Sequence, residues 1–148
     1  MQGDAGSPGR DAVFDRVPPH DDEAEMAVLG GMLLSKDAIG EVSQMIDVTD
    51  FYQPKHQTIY EAIIDLFSNS QNVDVVIVAN QLMKDGNLDK VGGADYLHTL
   101  VAFVPTAANA TYYAEIVHQR AILRNVIAAG TKIAQLGYSA EARRPKTW

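Results

Sequence analysis

From Thr106 to about Gly137 the chain runs for roughly 30 residues with Gly130 as its main interior helix breaker. One long helix is the simplest reading, and its wheel constrains everything else. Beyond Gln119, residues Ile122, Val126, Ala129, Ile133 and Leu136 form one apolar row, and Leu123, Ile127, Gly130 and Ala134 form a second beside it. Arg124, Asn125, Ala128, Thr131, Lys132 and Gln135 fill the opposite side. The apolar arc covers about half the circumference, wider than a single packing seam. A helix at the edge of a small domain can bury one row on its own head. Burying both needs a second surface, and several Ile and Leu side chains left in water, at about 25 cal/mol per Å², are enough to drive association. Self-association through Ile122–Leu136 is therefore expected.

The preceding sequence reads as a series of short helices. Residues 1–19, rich in Gly, Pro, Asp and Arg, form an expected disordered lead-in, with structure beginning at Pro18-Pro19. Asp22 with Glu25 three residues later has the spacing of a capping box, followed by Met26, Leu29, Gly30 and Leu33 on one face. Gly30-Gly31 marks either close backbone packing or a break between two helices. Ser35 is the expected N-cap of a helix carrying Ala38, Ile39, Val42, Met45 and Ile46. Pro54 suits the first turn of the next, with Ile59, Tyr60, Ile63, Ile64 and Phe67 inward.

The run Val73–Ala79 is rich in β-branched residues, which favours a strand by propensity. Asp74 is nevertheless a good N-cap, Val75, Val78, Ala79, Leu82 and Met83 continue a helical stripe to Asp85-Gly86, and no other segment could pair with a lone strand. A helix is expected there. Gly92-Gly93 opens another, with Ala94, Leu97, Leu100, Val101 and Val104 apolar, and Pro105 closes it. The fold class is thus all-α: a compact orthogonal head of about five short helices followed by a long one. The polar tail EARRPKTW contains Pro145, which stops a helix.

Charge and motifs narrow the function. The 148 residues carry a net charge of −7, but it is unevenly spread: residues 1–104 balance to −11 and residues 105–148 to +4. A two-sided distribution suits oriented docking between proteins better than a duplex-DNA groove. With no cysteine there is neither disulfide nor thiolate metal site, and no apolar run approaches the roughly 20 residues that span a bilayer, so a cytoplasmic protein is expected. No P-loop is present, since Gly130-Thr131-Lys132 lacks the rest of the pattern. His20, His56, His98 and His118 lack metal-ligand spacing and read as surface or core histidines. Tyr112-Tyr113 could stack bases, but they fall where core residues are expected. No catalytic, cofactor or metal site is expected. A protein-interaction module is favoured over an enzyme.

Four segments carry a resemblance: EAEMAVLGGMLL (Glu23–Leu34), DFYQPKHQTIYEAI (Asp50–Ile63), GGADYLHTL (Gly92–Leu100) and VPTAANATYYAEIV (Val104–Val117). In this order and spacing they resemble the N-terminal domain of the bacterial replicative DNA helicase of the DnaB type, over about Val17 to Tyr138. The resemblance implies a collar domain over 20–138: a helical head and a helical hairpin, Thr106–Gly137 matching the first hairpin helix. Such domains pair through their hairpins and support a hexameric ring whose separate RecA-like ATPase unwinds DNA. They also receive primase and the helicase loader. Self, primase and loader are the implied partners, with single-stranded DNA met only through the full ring. The family continues past Tyr138 with a second hairpin helix, which residues 139–148 do not resemble; the tail reads as a truncation or frameshift, and without an ATPase domain this chain is expected not to hydrolyse ATP. The candidate interface residues are Leu123, Val126, Ile127 and Ile133 on the long helix and Tyr96 on the head. A free-standing all-helical adaptor is the alternative reading.

Overall fold

The computed structural model describes residues 16–104 and 109–142. Most of the expected lead-in, the start of the long helix at Thr106, Pro105 and the tail from residue 143 lie outside the described residues. Among those described there are six α-helices and no strand: α1 (Asp22–Leu34), α2 (Lys36–Ser43), α3 (Pro54–Ser68), α4 (Val75–Lys84), α5 (Gly93–Phe103) and α6 (Ala110–Ala142), with 3-10 turns at Val48–Asp50 and Asp89–Val91. The all-α expectation of five short helices and one long one holds.

Most boundaries follow from capping chemistry. Ser35 caps α2 by accepting from Ala38 N, Pro54 opens α3, and Gly92-Gly93, both at positive φ, let the chain turn into α5. The Val73–Ala79 run is a helix, as expected. Asp74 accepts from Ile77 N at 2.9 Å, and Val78 and Leu82, one turn apart, are buried on the head. Tertiary burial at helical spacing outweighs the β propensity of the valines.

Helix α1 is the centre of the core. It packs against α2, α3, α5 and α6, and from Ala24 to Leu33 every residue except Met26 is buried, so it is hydrophobic nearly all round rather than on one face. The Gly30-Gly31 pair resolves as close packing within an unbroken helix. A Cβ on Gly30 would stand 2.1 Å from the Leu100 carbonyl oxygen of α5, so only glycine lets the two backbones approach this closely.

The expected Asp22/Glu25 capping box is corrected. Asp21, one residue earlier, caps α1 by accepting from Ala24 N at 2.9 Å. Glu25 turns inward and is 1% exposed. Its Oε2 accepts from Tyr52 N at 2.7 Å, and its Oε1 from Gln53 N at 3.3 Å and His56 Nδ1 at 2.7 Å. Gln53 is the N-cap residue of α3 and makes no side-chain cap of its own, so Glu25 serves the start of a different helix from its own. The positive end of α3 is a favourable place for a carboxylate, which three donors then satisfy.

The long helix also departs from expectation. It has 33 described residues and runs to Ala142, past Gly137. Gly137 costs a helix about 1 kcal/mol but lies within it and, with a φ that is not positive, does not act as a cap. Only Ala110, Ala114, Val117 and Ala121 of α6 are buried. Tyr112 is corrected from the core to the exposed side, being about 200° round from Ala110 at 100° per residue. Tyr113 is half-buried with its ring edge-on to Tyr112 at 5.3 Å.

Two substitutions test these contacts. Gly30→Ala should lower stability by about 1–3 kcal/mol in urea denaturation, even though alanine has the better helix propensity, because a rigid carbonyl occupies the Cβ position. Glu25→Gln should lower it by about 3 kcal/mol, since an amide nitrogen is turned toward buried donors and the hydrogen bonds to a carboxylate are lost.

Candidate functional site

Two surfaces stand out once the core is accounted for. The first is the distal part of α6. Beyond Ala121, Arg124 alone is half-buried, and every other described residue to Ala142 is exposed. The apolar ones range from 46% exposed at Ile122 to 80% at Tyr138, with Leu123, Val126, Ile127, Ile133 and Leu136 between. The two-row pattern is therefore uncovered on both rows, where the sequence left one for the head to bury. The reason is directional: the seam Ala110–Ala114–Val117–Ala121 uses the first third of the helix, and the remainder projects past the head. Leu123, Val126, Ile127 and Ile133 are brought together on this free face.

Tyr96 lies elsewhere, on α5 at the head, and is not part of that face. Its hydroxyl reaches His56 Nε2 at 2.6 Å, and its ring stacks on the imidazole with centroids 5.9 Å apart and planes 14° from parallel. Lys55 Nζ sits 4.0 Å from the ring centroid, within cation–π range. The hydroxyl is thus turned inward, toward the buried imidazole. His56 is 2% exposed and bridges Glu25 to Tyr96, so of the two readings, surface or core, it is a core histidine. A shallow cavity of about 220 Å³ opens beside this group, bordered by Asp22, Met26, Gln53, Lys55, His56 and Tyr96. Sequence reasoning missed Glu25 and His56 as a pair because they are 31 residues apart. The only available signal was a glutamate in an otherwise apolar helix interior.

The junction between head and long helix is polar. Arg124 Nη1 donates to the Pro19 carbonyl at 2.8 Å and Nη2 to the Asp50 carbonyl at 2.6 Å. His118 Nδ1 lies 2.9 Å from the Asp50 carboxylate, and the His20 ring stacks on Tyr52 at 4.0 Å. Among the described residues no cluster of three metal-ligating side chains occurs, and no helix is long and apolar enough to cross a membrane.

Burial pushes the Tyr96 phenol up to about 12, aided by the negative charges of Asp22 and Glu25. Burial likewise raises Tyr60 to about 12, with Asp47 and Asp50 contributing. Below pH 10 both phenols are protonated whether folded or not, so they impose no pH dependence. Between about pH 10 and 12 the unfolded chain loses protons that the fold retains, so stability must fall as pH rises through this window. Urea midpoints should therefore drop from pH 9.5 to about 11.5, and less steeply in the Tyr60→Phe/Tyr96→Phe double variant.

Residues 17–119 match the family described as the DnaB-like helicase N-terminal domain. The chain is 52% identical over 138 residues to the replicative DNA helicase DnaB of Leifsonia xyli subsp. xyli and 52% identical over 141 residues to that of Mycobacterium leprae. These alignments cover 93% and 92% of this chain but only 30% and 23% of those relatives. The crystal structure of the N-terminal domain of DnaB helicase from Mycobacterium tuberculosis superposes with a TM-score of 0.84 at 51% identity, covering 86% of this chain and 91% of that one. The corresponding Helicobacter pylori domain, whose structure was described with its interactions with primase, shares the fold at 22% identity, with a TM-score of 0.68 over 78% of this chain and 90% of its own. By sequence and by fold, the chain belongs to the DnaB-like helicase N-terminal domain family.

Proposed function

We propose that this domain, over about residues 20–138, is the collar of a cytoplasmic replicative DNA helicase, a docking module that associates with further copies of itself and receives primase and the helicase loader. In this reading ATP hydrolysis and strand separation belong to the ATPase part of the larger protein, and single-stranded DNA is met by the assembled ring. The observation that carries it is the uncovered apolar face of α6 from Ile122 onward in a member of this family. Exposure of such side chains to water carries a cost that burial against a partner removes. Leu123, Val126, Ile127 and Ile133 form the proposed contact with a neighbouring copy or with primase. Tyr96 is the proposed partner-facing residue of the head, presenting its ring while its hydroxyl is held by His56.

The uneven charge supports docking over catalysis. A segment 1–104 that balances to −11, joined to a segment 105–148 that balances to +4, orients approaching copies through long-range attraction.

Ile127→Asp is the test. Ile127 is 53% exposed, so the helical circular-dichroism signal and the melting temperature should hardly change. Self-association in sedimentation equilibrium should weaken at least about tenfold, since a charge in an apolar contact costs well over 1.4 kcal/mol. Primase pull-down should weaken with it. Unchanged association of a folded variant would reject the α6 face as the docking surface.

A further inference from the structure

The head grips α6 by two means of different character. The first is the seam of Ala110, Ala114, Val117 and Ala121, spaced to form one narrow line along the helix. Three of its four side chains are single methyl groups. Helices resist sliding and tilting when tall side-chain ridges lodge in the grooves of a neighbour, and methyl groups raise low ridges. Tyr113 and Ile116, partly buried against the core, flank the seam near its start, so its far end, at Ala121, is held by small contacts that fix direction weakly.

The second means is polar and lies at the far end of the seam. Arg124 is the last residue of α6 with any substantial cover, and its guanidinium joins two separate stretches of the head. Nη1 donates to Pro19, in the segment leading into α1, and Nη2 donates to Asp50, at the end of the first 3-10 turn. Its Cζ also stands 5.6 Å from the centre of the Tyr52 ring, which His20 stacks. His118 holds the carboxylate of the same Asp50 whose carbonyl Arg124 holds. A charged donor on a neutral carbonyl makes a strong hydrogen bond, and only the planar fork of arginine can hold two carbonyls in fixed relation. Beyond this point every described residue of the helix is exposed.

We propose that Arg124 is the clamp that sets the direction in which the distal half of α6 leaves the head, with the small-residue seam acting as the hinge beneath it. With the clamp closed the helix has one direction; with it open the helix tilts on its seam while remaining helical. This concerns the protomer alone and does not depend on which partner covers the apolar face. The geometry gives a useful lever: at 1.5 Å per residue, position 135 lies about 27 Å beyond Val117, so a tilt of about 10° moves it by about 5 Å.

The chain has no cysteine, so paired spin labels can be introduced without removing any native residue. In the full 148-residue chain, labels at Glu61→Cys on α3 and Gln135→Cys on α6 report the head-to-helix distance. Labels at Gln119→Cys and Gln135→Cys report the helix alone. Samples are diluted with excess unlabelled chain so that only distances within one molecule are read. In the parent the head-to-helix distribution should be a single narrow peak. Arg124→Leu should broaden it about twofold or move its mean by several Å, while the pair within α6 keeps its distance of about 24 Å between Cα atoms and its width. If the leucine variant fails to fold, Arg124→Lys serves, since it retains the charge and stem but cannot span both carbonyls. An unchanged head-to-helix distribution overturns the proposal. So does broadening of both pairs together, which would mean that the helix frays rather than tilts.

Discussion

A single buried carboxylate ties the head together. Glu25 rises from the central helix α1 into the start of α3, takes hydrogen bonds from two backbone N–H groups there, and through His56 reaches Tyr96 on α5. Three helices from distant parts of the chain are thereby fixed in relative position by directional bonds, where apolar packing alone would tolerate small shifts. A charge this deep is costly unless fully satisfied. Three donors and the positive end of a helix meet that requirement, and α3 in turn obtains the N-terminal cap that its own Gln53 does not provide. The close passage of α1 along α5 at Gly30 belongs to the same arrangement, because Tyr96 can reach His56 only if α5 is drawn in against α1.

Much of this architecture was legible in the sequence because it is local. Ser35, Pro54 and Asp74 mark helix starts through bonds spanning three residues or through a fixed φ, and periodic apolar residues mark the buried faces. Even the valine-rich stretch around Asp74 was decided by its stripe. What escaped was non-local. Glu25 has the spacing of a capping residue, and nothing in neighbouring positions reveals that its partners lie 27 to 31 residues away. Arg124 sits on the polar side of the wheel and so reads as a solvated cation, whereas its guanidinium holds carbonyls 74 and 105 residues distant. The apolar arc of α6 was visible, but its exposure on both rows depends on the direction of a helix in space, which periodicity does not encode.

The molecule separates its buried core from its exposed apolar side chains. Core residues of the head are concentrated on α1 to α5 and the first turns of α6, and the uncovered apolar side chains are concentrated on the rest of α6. Under the proposed collar function such a division would let the domain keep its own shape while contacting others.

Tyr96 combines both worlds, for its ring borders solvent while its oxygen is moored to a histidine in the interior. Side chains at protein surfaces usually sample several rotamers, and a visitor that selects one must overcome roughly 0.5–1.5 kcal/mol of lost entropy for each. Here that freedom was surrendered when the chain folded. The ring already stands in one orientation, so a partner docking at this spot, as proposed, would meet a smaller entropic penalty than its exposure alone would suggest.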